Sequence, residues 1–578
     1  MQNSRHSNHT TLLGGLALAM ALAVSAPHAR ANVYATNIKL DGALGHNAEV
    51  RVGGNVTISY ILNEPATMGV TVNILSGASV VRSISIVSGN PGTAMGLNSV
   101  VWNGKDNLSN NVSAGAYSVS VTAAAAAAVG FTNWTQTSVD TNPGNYVYSP
   151  RGIAVNINAN SPWYGRIFAG NAAKGPTAGS ATPTPGDVDG ILKLNADGSF
   201  ADEGQSTGGY TWVDDGYDDS PHFLRYAMDD RIYALDWTGS GVVVGCDNLM
   251  TTNEMVLSAN NYSSNPYNGS FTYGWDHFDV TDPGTSNALI FLGDNDFPSA
   301  GLWCWHMTNG IADPADTTGQ FVIQTGGDLS LLPSGGFMMD ESSNIFVAQD
   351  RSNAGDSSER AMVFTNWDRT STLYTGTAWQ VGGADDTFRG NFDMALDSRT
   401  NPKLIAVPQS VSGGIRVLNA ADGSTVTNNT PGDLYSSQVL SNLDGAIAPA
   451  FTNVNNYDGA VWDAVGNLYG VCATAQRVRA FSPPSGANQA TTVAVEQVAI
   501  VQPPVIASLS LGGGNVTINF TAGATDPASA FLLWSAGVVK GPYATVPGAT
   551  ATQVSPGVFK FVVPVAAGAP QQYYRVSR

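Results

Sequence analysis

Charge is scarce in this chain. Only 12% of its 578 residues are Asp, Glu, Lys or Arg, which suits an all-β, turn-rich exported protein better than a helical or a disordered one. The charge present leans acidic, with 44 acids against 25 bases and a net charge of −19. That sign argues against a phosphate backbone as ligand, so no nucleic acid is expected. Cysteine is nearly absent. Three residues, Cys246, Cys304 and Cys472, are too few for a disulfide framework, and each falls in or beside a strand-like run where a small buried thiol fits. A single Cys246–Cys304 bridge is the alternative. Long apolar runs are missing except Leu12 to Val24, which is too short for a comfortable membrane span. With Arg5 ahead of it and Ala29-Arg30-Ala31 behind it, that run reads as a secretory signal cleaved near Ala31. Removing residues 1–31 leaves 23 bases against 44 acids, a net −21. The mature chain is therefore expected to be secreted or held at the cell surface, with no membrane span. The chain also has no His-Glu-x-x-His, no Gly-x-Ser-x-Gly and no Walker loop.

What is abundant is glycine, 64 residues, and one repeated phrase. It is clearest at Gly459-Ala-Val-Trp-Asp463-Ala-Val-Gly-Asn467-Leu-Tyr-Gly-Val471 and then Arg477-Val-Arg-Ala-Phe481. An apolar strand leads to an Asp turn, a second apolar strand and a third. Asp and Asn suit such turns because their short side chains bond the backbone just downstream. Copies are led by Asn156, Asp229, Asp282, Asp340, Asp397 and Asp463, spaced by 73, 53, 58, 57 and 66 residues. Repeats of this size with β-branched and aromatic runs are a propeller-blade signature. The expected fold is all-β, a six-bladed β-propeller over residues 131–500 flanked by two β-sandwiches. Phe131 to Ser149 is expected to pair with Thr491 to Ile500 and close the ring, since closure removes exposed sheet edges. The Pro-, Thr- and Gly-rich run Gly175 to Gly186 reads as an inserted surface loop.

Residues 32–122 carry period-two strands at Val56–Tyr60, Val70–Ile74 and Tyr117–Val121. The segment Trp102-Asn-Gly-Lys-Asp106 followed by Ala114-Gly-Ala-Tyr117, with Tyr60-Ile-Leu-Asn-Glu-Pro65 before it, resembles the FlgD-type immunoglobulin-like domain. That resemblance implies a spacer or adhesive module and a bacterial source. Residues 123–130 include an alanine run too short for a lone helix and read as a linker or strand extension. Pro503-Pro504 marks a boundary. Residues 501–578 alternate at Val516–Phe520, Phe531–Trp534, Val558–Val562 and Tyr573–Val576, and resemble a fibronectin-III-like module.

The blade phrase resembles that of NHL-repeat and gluconolactonase-like propellers, in strand order more than in residue identity. In that family ligands bind at one mouth of the central channel. The resemblance places Arg151, His222, Asp276, His277, Arg389, Asn391 and Asp458 at the leading ends of the first strands, and Trp237, Asp294, Asp296, Asp350 and Arg351 where the second strands end. His277, His222, Asp276 and Arg389 are the catalytic candidates, with His277 as a general base whose tautomer Asp276 would set. Arg151, His222, Asp276, His277, Arg351, Arg389, Asn391 and Asp458 are the ligand-binding candidates. Asp294, Asp296 and Asp350 offer oxygens to calcium. The metal-dependent lactonases of the family use a Glu at the first strand, and none stands at any of the six positions here. Two further stretches are singled out. Trp212 to Asp219 holds four carboxylates and two aromatics, a calcium or sugar platform or else a solvated acidic loop. Tyr262, Tyr267, Phe271, Tyr273 and Trp275 either cover one channel end or pack between blades. Asp187-Val-Asp189-Gly190 lacks the distal Glu of an EF-hand.

These readings favour a non-catalytic secreted or surface propeller that binds a glycan or an envelope protein, with the flanking sandwiches as spacer and attachment module. The alternative is an extracellular enzyme, a lactonase-like hydrolase or a polysaccharide lyase or hydrolase, acting at the channel mouth. A structural surface-layer component is a third possibility. Fold alone cannot choose among them.

Overall fold

The structure is a computed structural model. It describes residues 33–44, 48–125, 135–206, 210, 212, 220–236, 242–264, 275–283, 285–294, 301–324, 336–349, 360–373, 377–382, 393–397, 403–409, 414–424, 456–482, 489–501, 503–524, 526–565, 568 and 571–578. The chain is all-β and is built of many sheets. Among the described residues no helix is long and apolar enough to cross a membrane.

Six of the sheets follow one another along the chain as antiparallel meanders. Sheet one is Pro150–Val155, Ile167–Asn171, Gly190–Leu194 and Phe200–Ser206. Sheet two is Leu224–Ala227, Arg231–Asp236, Val242–Cys246 and Asn253–Leu257. Sheet three is Trp275–Thr281, Leu289–Asp294, Gly301–Thr308 and Gln320–Gln324. Sheet four is Gly336–Met339, Ile345–Ala348, Arg360–Phe364 and Thr377–Gly382. Sheet five is described as three strands, Ala395–Asp397, Leu404–Pro408 and Ile415–Asn419. Sheet six is Tyr457–Trp462, Leu468–Cys472 and Arg477–Ser482, completed by Thr135–Gln136 from ahead of sheet one. The first strands touch in sequence, and the first strand of sheet six returns to that of sheet one, so the contacts close a cycle.

The repeated phrase works as its chemistry dictates. Asp463 Oδ1 accepts from the backbone N–H groups of Val465, Gly466 and Asn467 at 2.9, 2.7 and 2.8 Å. Asn467 Nδ2 donates back to Asp463 Oδ2 at 2.7 Å. Asp340 and Asn344 repeat the arrangement four residues apart, with Asp340 accepting from the N–H groups of Ser342 and Asn344. Each acid therefore satisfies turn donors that would otherwise be orphaned between two buried strands.

Closure differs from the sequence expectation. Thr135 and Gln136 pair with Ser482 and Phe481. Thr491 to Ile500 instead belongs to Gln489–Val501, which lies antiparallel to Gly115–Ala125 and parallel to Ala48–Arg51. The reason is length. A two-residue edge closes sheet six, whereas a thirteen-residue strand satisfies its backbone groups along the eleven residues of Gly115–Ala125. Asp140 fastens the closure, since Arg479 Nη2 lies 2.5 Å from its carboxylate and Arg479 Nη1 bonds Tyr457 Oη at 3.2 Å.

The N-terminal sandwich packs the sheet 43–44, 35–40, 56–62, 96–102 against the sheet 48–51, 489–501, 115–125, 69–76, 79–86. Trp102 is fully buried, its Nε1 donating to Lys105 O at 2.9 Å. Tyr117 packs on it at 5.7 Å and donates to Ser113 O at 2.8 Å. Ala123–Ala125 of the alanine run extend the strand. The six-sheet cycle is thus inserted between two adjacent strands of one sandwich, Gly115–Ala125 and Gln489–Val501. At the C-terminus the sheet 505–512, 515–521, 558–564, 551–555 faces the sheet 544–545, 532–536, 573–577 over Phe520, Phe531, Phe559 and Phe561.

Candidate functional site

The first strands approach one another closely where three of them carry glycine. A Cβ on Gly152 would stand 2.3 Å from Leu224 N, and one on Gly336 would stand 2.8 Å from Asp393 Cα. One on Gly459 would lie 3.1 Å from Arg151 O. Nearly every real Cβ is farther from such neighbours, so only glycine lets these strands meet.

Two of the other first strands contribute Arg225 and His277 to the middle of the cycle, and Asp393 joins them from two residues ahead of Ala395–Asp397. Arg225 Nη2 and His277 Nε2 converge on Asp393 Oδ1 at 2.6 and 2.8 Å. Met394 N donates to the same oxygen at 2.7 Å, and Ala460 N reaches Oδ2 at 3.3 Å. Arg225 Nε lies 3.8 Å from Asp279. His277 and Asp393 are wholly buried. Burial pushes Asp393 upward, but the Arg225 charge and the His277 hydrogen bond outweigh it and hold the carboxyl well below the usual range. Burial and the neighbouring guanidinium push His277 down to about 4, so the ring is neutral at pH 7. Phe223 and Phe337 enclose it edge-on at 4.6 and 5.0 Å. Arg225 Nη2 also lies 2.5 Å from His277 Nε2, so that one ring nitrogen faces both the Asp393 carboxylate and the guanidinium. Asp279, also buried, is pushed up to about 6 by desolvation, with Arg225 opposing.

Beyond this cluster the middle of the cycle holds an apolar cavity of about 90 Å³, lined by Ile153, Leu224, Met338, Met394, Ala460 and Trp462 among others. That is well below the roughly 300 Å³ of a typical ligand pocket.

The sequence candidates scatter. His277, expected beside Asp276 at the mouth, lies inside on Asp393, 116 residues away. Arg151 Nη1 pairs with Asp458 Oδ2 at 3.2 Å, with Arg151 a quarter exposed and Asp458 nearly buried. His222 is buried and packs edge-on to Phe223 at 4.5 Å. Asp276 and Asp294 lie in described strands, but their side chains fall outside the described residues, as do Trp237, Asp296, Asp350, Arg351, Arg389 and Asn391. Among the described residues no three His, Cys, Asp or Glu side chains form a metal-holding group. The secretory segment, Asp214 to Asp219, and Tyr267, Phe271 and Tyr273 also lie outside the description. Trp212 is buried beside Tyr210 in the core shared by sheets one and two, and Tyr262 is buried in the core shared by sheets two and three. Asp187 organises the inserted loop, accepting from Thr177 Oγ1 at 2.6 Å and Tyr146 Oη at 3.0 Å. The three cysteines are free and buried.

Sequence reasoning missed Arg225, Asp279 and Asp393, because it sought chemistry in loops and these residues sit in or against apolar strands. A charge inside such a run was the available signal. The opposite end of the cycle is covered in part. The turns of sheets one and six dock on the N-terminal sandwich, with Tyr164, Ala196, Ala464 and Val465 packed on its core. A Cβ on Gly165 would meet Thr36 Cγ2 at 2.4 Å.

No family model matches the chain, and no curated protein matches it. Among solved structures, the calcium structure of the Trichoderma reesei carbohydrate-active enzyme of family AA12 aligns at 11% identity with a TM-score of 0.35, covering 62% of this chain and 96% of that one. The outer coat vertex of COPII on membranes aligns at 8% identity and a TM-score of 0.32, covering 74% and 98%.

Proposed function

We propose that the six sheets are the blades of a six-bladed β-propeller, and that the protein is a secreted or cell-surface binding module that takes a glycan or an envelope protein. The closed cycle of first strands and the two-residue completion of sheet six support the propeller. The observation that carries the non-catalytic reading is the burial of His277 on Asp393 and Arg225. The best general-base candidate is spent on an internal ion cluster, without the substrate reach that proton abstraction needs. The partner then meets the leading ends of the first strands, around Arg151 and Asp458, because the turn end is partly covered by the sandwich. In this reading the N-terminal domain is a FlgD-type platform and the C-terminal one a fibronectin-III-like attachment module.

The test is a binding screen of the mature chain against bacterial envelope polysaccharides and proteins, followed by titration calorimetry with Arg151→Ala and Asp458→Ala. Binding that weakens at least tenfold in either variant, with the melting midpoint kept, is expected. Turnover of a lactone or polysaccharide that these changes abolish would sink the binding-module reading.

A further inference from the structure

The C-terminal sandwich is short of a strand on one side. Among the described residues, Val505–Gly512 is the edge of its four-stranded sheet and pairs only with Asn515–Thr521. Leu509 and Leu511 stand opposite Ile518 and Val516, both buried, so they point to the core face. They are nevertheless 54% and 77% exposed, because the facing sheet has three strands and does not reach them. The strand, Val-Ile-Ala-Ser-Leu-Ser-Leu-Gly, carries no charge and no proline. Natural edges are blunted by lysine, proline, short length or a bulge; this one carries a single irregularity, between Ile506 and Ser508, and is regular from Ser508 to Gly512.

Its backbone is also aimed outward at the right places. Gly513 and Gly514 form a two-residue turn with φ +58° and +77°, which makes Gly512 and Asn515 a hydrogen-bonded pair. Alternation then turns the N–H and C=O groups of Leu509 and Leu511 away from the sheet.

We infer that this edge pairs with the same edge of a second copy, antiparallel about a two-fold axis through Ser510. In that register Leu509 of each copy faces Leu511 of the other, and both pairs use the outward backbone groups. An axis perpendicular to the sheet keeps both core faces on one side, so the four exposed leucines meet across the junction. The contact is self-complementary, as a two-fold interface must be. It needs no charged partner, since the charged residues of 501–578 are Asp526, Lys540, Lys560, Arg575 and Arg578 and none lies on the strand. The two sheets become one of eight strands.

The test uses the full mature chain in sedimentation and light scattering over a concentration series, with two variants. Wild type is expected to rise from one chain mass toward two. Leu511→Lys, which sets a cation against Leu509 in both pairs, is expected to stay at one chain mass with an unchanged melting midpoint. Ser510→Cys is expected to form a covalent dimer on mild oxidation, because non-hydrogen-bonded residues face each other at about 4.5 Å between Cα atoms, and the native cysteines are buried. A wild-type chain that stays monomeric at about 100 µM, a dimer untouched by Leu511→Lys, or a Ser510→Cys chain that fails to cross-link while dimeric would each overturn the inference.

Discussion

Ser482 Oγ lies 3.2 Å from Glu64 Oε1 and 3.1 Å from Asn467 Oδ1, joining the last strand of sheet six to the N-terminal sandwich. Desolvation pushes the Glu64 carboxyl up to about 7, with Asp463 adding and the Ser482 bond opposing. Ser482 Oγ donates to Glu64 Oε1 and Asn467 Oδ1 competes for the same hydroxyl hydrogen, so protonating Glu64 releases that hydrogen to Asn467. The folded pKa lies above the ordinary value of 4.5, so this contribution is fully present below pH 4.5 and is lost as pH rises through 7. Glu64→Gln is expected to narrow the difference in melting midpoint between pH 5 and pH 8. Asp279 titrates in the same window through its own upward shift, so the comparison between variant and wild type isolates Glu64. An unchanged pH slope in Glu64→Gln would refute the role of Glu64 in it.

The Arg225–Asp393 pair makes a second prediction. Removing the carboxylate leaves a buried guanidinium without its main partner, and Asp393→Ala is expected to cost about 3–5 kcal/mol in denaturant unfolding. Adding Arg225→Met should recover part of that loss, so the two effects will not add. Additivity within about 0.5 kcal/mol would mean that the two groups do not depend on each other.

Close approach of the first strands is tested at Gly152. Its Cβ would press on the backbone of Phe223 and Leu224, whereas a Cβ on Gly115 meets nothing within 4 Å. Gly152→Ala is expected to destabilise by about 1–3 kcal/mol or more, and Gly115→Ala to stay within about 0.5 kcal/mol. Equal midpoints of chemical unfolding for the two variants would show that the junction has slack.

The returning strand makes the last prediction. Gln489–Val501 sits between Ala48–Arg51 and Gly115–Ala125 in one sheet. A chain of residues 32–125 alone is expected to lack a cooperative thermal transition by circular dichroism, and a peptide of residues 489–501 added in trans is expected to restore it. A cooperative melt of the short chain by itself would show that the strand is dispensable.

Much of the sheet order was legible because it rests on local chemistry. The Asp turns at 340 and 463 and the apolar strands beside them need only near neighbours in sequence. The destination of residues 489–501 was not legible, since two sheets could accept that strand and strand length decided between them. The central cluster was half legible. Gly152, Arg225, Gly336, Asp393 and Gly459 each stand four residues before their turn residue, so stacking the copies in phase would have exposed the glycines and the misplaced charges together. His277 stands five residues before Asp282 and breaks the phase by one, which no spacing rule announces.

Because Gly115–Ala125 and Gln489–Val501 are zipped to each other, a pull between Val33 and Arg578 enters and leaves through the N-terminal sandwich and the module beyond Val501. The six sheets between residues 135 and 482 hang from that zipper as a side loop, outside the path of tension. A protein tethered at one end in flowing medium would strain its two sandwiches while the ring between them stayed slack and kept its shape.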